Sequence, residues 1–289
     1  MVRARTSWPR QRGGVLLAVA GVLTIIALSY FALFALRSTQ RKLDLGATQQ
    51  ARLTRIDDAL AQFVARNRRL PCPAQGMLAD GNAQAGRESL NPVTGQCQPA
   101  NQSNGVVPWI TLGLAEGNAR DAWNGRITYR VQPSLASNLL NLMNMSWCDP
   151  GGATNGATGP ANACSPAPCA SAACMHPTNY LYAKGLQVQD GAGAWIKRPL
   201  PAWSGAPAPP PVATGAAYVL IAHGANLQLG IAQGTSEADN AGGLALTGAS
   251  IFVDKAHVSA PDATYFDDVL SHPTLSVVLG KAALGPRSH

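Results

Sequence analysis

No charged side chain occurs between residues 13 and 36, and that gap decides where the chain can reside. At about 1.5 Å per residue the uncharged run reaches about 36 Å, against a hydrocarbon core of about 30 Å, so it can cross a bilayer with some tilt. A cleavable secretory signal has a shorter apolar core followed by a small-x-small site. Here Leu36 leads straight into Arg37, Ser38 and Thr39, so the run reads as a spanning helix. Acid is missing from the leader as well. Arg3, Arg5, Arg10 and Arg12 stand there without an Asp or Glu, a bias that holds the amino terminus in the cytoplasm and sends everything after residue 36 across the membrane.

Clustered basic residues are absent from the rest of the chain. Residues 1–70 carry 12 Lys and Arg against 3 Asp and Glu, a net of +9, whereas residues 71–289 carry 10 against 12, a net of −2. The overall +7 therefore belongs to the membrane end. A phosphate-binding face needs Lys or Arg gathered on the folded body, and only scattered ones such as Arg126, Arg130, Lys197 and Arg198 are present, so the charge does not support nucleic-acid binding. Hydrolase signatures are absent too. His176, His223, His257, His272 and His289 are dispersed, with no His-Glu-x-x-His pair and no Gly-x-Ser-x-Gly elbow, which leaves zinc and serine hydrolysis without a handle. His223, followed by Gly224 at the end of an apolar run, reads as a strand-to-turn residue. No internal repeat is found.

What is present begins with cysteine. Cys72, Cys97, Cys148, Cys164, Cys169 and Cys174 all lie beyond the apolar run, and an even count on the far side of a membrane suggests disulfides. Zinc sites favour pairs two to four residues apart, whereas Cys164, Cys169 and Cys174 are five apart. Cys72 and Cys97 bracket one polar loop and are expected to pair, a closure that stabilises by about 3 kcal/mol in the chain-entropy picture. The other four allow three pairings.

Leu53, Ile56, Leu60, Phe63 and Val64 recur at helical spacing, with Arg52, Arg55, Asp57, Asp58, Gln62, Arg66 and Arg68 on the other faces, which predicts an amphipathic helix. Gly46 suggests a bend or melted turn before it, and Pro71 and Pro73 are expected to end it. From residue 74 the texture is that of short strands and loops. Strands are expected at 126–131, 217–222, 251–253 and 227–231, and a short helix at 134–145 on Leu135, Leu139, Leu140, Leu142 and Met143. The Gly-, Ala- and Pro-rich stretches 149–175 and 199–216 read as loops. The expected organisation is a basic leader (1–14), a transmembrane helix (15–36), an amphipathic continuation of that rod (37–70) and a periplasmic or extracellular head (71–289) with a loop-rich insertion at about 149–216. The fold class is α+β, a long N-terminal helix packed on a small antiparallel β-sheet head with long loops.

Two acidic patterns touch on calcium. Asp267 and Asp268 beside Phe266 offer adjacent carboxylates, though such acids opening a short helix or strand are commonly solvated or capping groups. Asp80, Asn82 and Gln84 alternate like the start of a calcium loop, but Ala85 fills the required glycine position and no Glu follows at position twelve. No other cofactor is indicated. Trp109 and Trp123 read as core aromatics of the head.

With these residues in view the chain resembles the type IV pilin superfamily, which includes minor pilins and the pseudopilins of type II secretion. The run Arg10, Gln11, Arg12, Gly13, Gly14, Val15, Leu16, Leu17 is similar to the prepilin-peptidase site of minor members, with Gly13, Gly14 and Val15 at the point of cleavage and methylation. Leu70, Pro71, Cys72, Pro73 and Ala74 close the long helix as in pilin-like proteins with large heads. The stretches 107–114, 121–131, 217–226 and 266–268 look like phrases of such heads in the same order, while 149–216 lies outside the likeness. The resemblance implies a processed structural subunit without catalysis of its own. Its partners would be other pilin or pseudopilin subunits, prepilin peptidase, an inner-membrane assembly platform and lipid. It also implies a single-pass bacterial inner-membrane location, with the head periplasmic and capable of joining a surface fibre. One departure is informative. Major pilins carry a glutamate fifth in the mature chain, and here that position is Val19 or Ala18, depending on cleavage after Gly14 or Gly13. A carboxylate in lipid costs about 3 kcal/mol and is kept where a charge partner repays it, so its absence points to a minor or tip-proximal subunit. The competing reading is a membrane-anchored binding or adhesion module that uses the 149–216 insertion.

Overall fold

A computed structural model describes residues 12–98, 105–136, 143, 184–199, 215–225, 235–241, 251–258 and 262–284. The chain divides into two compact units, Met1–Thr48 and Gln49–His289.

In the first unit the described residues are helical, the amino-terminal part of α1 (Arg12–Asn67). Its stretch Val19–Arg37 has a mean hydropathy of 2.3, and none of it is buried. Leu28, Tyr30 and Phe31 are about 70% exposed, so this stretch keeps its whole circumference outside the core formed by the described residues. The helix is long and apolar enough to cross a membrane. Thr24, the lone hydroxyl early in that stretch, donates to the Gly21 carbonyl at 2.8 Å and so brings no unpaired polar group into an apolar surrounding. The melted turn expected at Gly46 is not formed, since α1 is helical through that residue.

The second unit is α+β. The last turns of α1 bury Leu53, Ile56, Leu60 and Val64 completely, and these are four of the five residues whose spacing marks the stripe. Each is worth about 1.5–3 kcal/mol of removed apolar surface. They face a five-stranded antiparallel sheet with the order β1 (Ala74–Gln75), β2 (Gly105–Val106), β3 (Thr128–Val131), β6 (Tyr218–Ala222), β8 (Val269–Ser271). Strand β6 is buried along its whole length because both of its faces are covered. Tyr218, Leu220 and Ala222 join the core under α1. Val219 and Ile221 point to a second cluster with Leu186, Val188, Ala216 and Phe252. That cluster rests on a second sheet of β5 (Trp195–Lys197), β4 (Gln187–Gln189) and β7 (Ile251–Val253). Its β4–β7 pair is parallel, a departure from the wholly antiparallel head that was expected. Short helices α2 (Pro133–Ala136), α3 (Thr235–Ala241) and α4 (Leu275–Lys281) complete the unit.

Helix α1 ends at Asn67, ahead of the prolines expected to stop it. Arg68 takes a left-handed conformation, φ 57°, while its N–H still bonds Val64 O at 2.8 Å. Leu70 N then donates to Leu135 O at 2.9 Å, which commits the chain to the head. Pro71 and Pro73 prevent the helix from resuming. The expected strands at 126–131 and 217–222 are found, each shorter at its start, and 251–253 is found as expected. Of the helix expected at 134–145, α2 covers the beginning, and Leu135 and Met143 are buried. The strand expected at 227–231, residues 137–142, the stretch 149–175 and most of 199–216 lie outside the described residues.

Candidate functional site

The residues expected to matter fall in two places. Gly13, Gly14 and Val15 lie in the first turns of α1. Cys72 and Cys97 are bonded to each other, as expected, and both are buried. Cys148, Cys164, Cys169 and Cys174 lie outside the described residues. The disulfide loop is held to the end of α1 by charge. Arg69 donates to both oxygens of Glu88 at 2.8 and 2.9 Å, and Glu88 Oε2 also accepts from Cys72 N at 3.1 Å. A forked guanidinium–carboxylate pair with little exposure is geometrically specific in a way that surface pairs are not.

A turn at residues 121–125 docks on the same helix. Asp121 Oδ1 accepts from Trp123 N and Gly125 N at 2.9 and 2.7 Å, and Arg52 donates to Arg120 O at 2.9 Å. Gln49 Oε1 accepts from Ala122 N at 3.0 Å. Trp109 is buried, as a core aromatic should be, whereas Trp123 is only half-buried. Several basic residues of the head are engaged internally. Arg126 pairs with Asp80 at 2.6 Å and lies over the Trp109 ring. Arg130 is buried, donates to Gly105 O at 2.8 Å, and is lowered to about 10 by desolvation. Asp80 pairs with Arg120 as well as Arg126, so the calcium-loop pattern at 80–84 is instead a salt-bridged turn.

Asp267 and Asp268 are where the structure departs most from expectation. They are only 8% and 6% exposed, so they are not solvated acids. Directly after them β8 begins, and they line a buried polar centre built from five segments. His223 follows β6, with Nε2 2.8 Å from Thr128 Oγ1 on β3 and Nδ1 3.3 Å from Asp268 Oδ1. Asp268 Oδ2 accepts from Asn240 Nδ2 at 2.9 Å, and Asn240 exchanges two bonds with Val253 of β7. Asp267 Oδ2 accepts from Ala225 N at 2.8 Å and from the Tyr265 hydroxyl at 3.0 Å. Desolvation, then that hydrogen bond, push the Tyr265 phenol up to about 12. Glu237, fully buried on α3, accepts from Asp267 N at 2.7 Å. One carboxylate oxygen from each of Glu237, Asp267 and Asp268 falls within 4.8 Å of the others. Gly224 makes this arrangement possible. Its φ is +68°, and a Cβ there would lie 2.4 Å from the Asp267 carboxylate.

The turn role expected of His223 is correct, and its ring does more than the sequence indicates by linking β3 to Asp268. A Thr, His and Asp in line have the connectivity of a nucleophile, a base and its orienting acid. Thr128 is 8% exposed and His223 5%, so the line acts as a buried strut between strands. Glu237 and Asn240 escaped sequence reading altogether. Glu237 stands 30 residues from Asp267, and no short-range pattern joins them. Comparisons with protein-family models, with curated proteins and with solved structures find no match.

Proposed function

We propose that this chain is a pilin-like structural subunit, a minor or tip-proximal component of a type IV pilus or a type II secretion pseudopilus. The observation that carries the reading is the division of labour along α1. Among the described residues nothing covers Val19–Arg37, while the stripe from Leu53 to Val64 is buried in an α+β head closed by a disulfide. An apolar helix without a partner among the described residues is suited to an apolar surrounding, and a bilayer or a bundle of like helices supplies one.

In this reading the helix is first stored in the inner membrane with the leader cytoplasmic. Prepilin peptidase cuts after Gly13 or Gly14, the new terminus is N-methylated, and assembly exchanges lipid for neighbouring helices. The small residues Ala20, Gly21, Ala27, Ser29, Ala32 and Ala35, all exposed, permit the close backbone approach by which helices associate where lipid supplies no hydrophobic drive. With Val19 or Ala18 in the place of the assembly glutamate, the subunit does not neutralise a neighbour's terminal amine, which suits a position at the end of a fibre. Expressed with the other subunits of its host's fibre system, the protein should appear in sheared fibres at a small fraction of the major subunit. Long filaments formed by this chain alone would contradict a minor role.

A further inference from the structure

We propose that Asn124 is a conformation-gated deamidation site, an Asn-Gly junction that the folded turn keeps intact and that converts to aspartate and isoaspartate once the turn opens. The inference stands apart from the pilin reading. Asn124 is exposed and is followed by Gly125, the neighbour that screens an asparagine side chain least because it has no Cβ. In the reaction Gly125 N attacks Asn124 Cγ. The bond from that nitrogen to Cγ forms, the Cγ–Nδ2 bond breaks, and the proton of Gly125 N leaves with the departing ammonia. Water then opens the succinimide at either carbonyl, giving aspartate or isoaspartate. Attack requires that Gly125 N be unengaged and that the backbone be free to bring Cγ onto it.

Neither condition is met in the folded turn. Gly125 is buried, and its N–H donates to Asp121 Oδ1 at 2.7 Å. Further bonds hold the backbone on either side of that nitrogen. Asn124 O accepts from Arg120 Nη1 at 2.9 Å, Asn124 N donates to Asp121 O at 3.0 Å, and Gly125 O accepts from Asp121 N at 2.7 Å. Asn124 itself takes the left-handed conformation, φ 71°, which asparagine adopts more readily than most residues. The turn is fastened to α1 by Arg52, which donates to Arg120 O and Asp121 O, and by Gln49, which accepts from Ala122 N. A bonded, buried amide reacts only from the fraction of molecules in which its segment has opened. A subunit whose turn has come away from α1 therefore exposes the junction. Isoaspartate there adds a methylene to the backbone and a negative charge to the turn that holds Asp121, both of which oppose its closing again. The modification marks subunits that have lost this part of the head.

The test incubates the full-length protein in detergent at mildly alkaline pH, with and without urea. Peptide mapping follows aspartate and isoaspartate at position 124 separately from the other Asn-Gly pairs, Asn104-Gly105 and Asn155-Gly156. Conversion at 124 is expected to be at least about tenfold slower in the folded protein than in urea. Asp121→Ala, which removes the acceptor of Gly125 N, should raise the folded-state rate by about tenfold or more. Asp121→Asn, whose amide oxygen can still accept from Gly125 N and Trp123 N, should stay close to the wild-type rate. Equal rates in the folded and the urea-unfolded wild type overturn the proposal, as does an unchanged rate in a folded Asp121→Ala or a folded Asp121→Asn as fast as the unfolded chain. Should Asp121→Ala lose its far-UV spectrum, the wild-type comparison and Asp121→Asn decide.

Discussion

Asp57 shows how one side chain couples helix to sheet and leaves a signature in pH. It sits on the polar flank of the α1 stripe and accepts from the Tyr218 hydroxyl and from Ser271 Oγ, each at 2.8 Å. Desolvation outweighs those two bonds and raises its pKa above the usual 3.8. With the folded value above the unfolded one, the native state binds more protons across the interval between them. The contribution is full below pH 3.8 and is lost as pH rises through the folded value. Asp57→Asn has no such step. The stability of the wild type relative to that variant, measured by urea unfolding across the acid range, should therefore fall as pH rises above 3.8, and a rise would contradict the assignment. Gly224 supplies a second residue-scale prediction. With φ +68° and the Asp267 carboxylate against the site of a Cβ, Gly224→Ala should destabilise by more than about 1 kcal/mol, measured by the same unfolding.

Among the elements, the helix stripe was legible because about three turns of consistent spacing leave one face for the core. The three expected strands that are described owe their visibility to Val, Ile and Tyr concentrated in short runs. Strands β1, β2, β4, β5 and β8 are two or three residues long, too short for any alternation to register, and sheet pairing rather than local preference makes them strands. Helix α4 had a start signal, Thr274 capping Val277 N, yet one short apolar run does not distinguish helix from strand. The buried polar centre was half legible. Asp267 and Asp268 stood out as a pair, but their burial is conferred by α3 and β6, whose contacts cross 30 and 45 residues. Two element-scale outcomes follow. Leu60→Ala, at a position with no exposure, should cost about 2–5 kcal/mol in unfolding free energy. Replacing Cys72 and Cys97 together by Ser should cost about 3 kcal/mol, since their bond closes a separation of 25 residues.

For the whole molecule, a helix surface that finds no partner among the described residues contrasts with a head that is well packed around the carboxyl-terminal turns of the same helix. Charge follows the same division, with the basic excess at the amino-terminal end and a slightly acidic remainder. In the proposed function the chain is held by its first segment, and that role requires that the leader be removed before the helix joins others. Intact mass, or amino-terminal sequencing, of the protein recovered from cells with and without the host's prepilin peptidase tests this most directly. The account predicts loss of the first 13 or 14 residues and an added methyl group only when the peptidase is present. An identical, unprocessed amino terminus in both strains would contradict it.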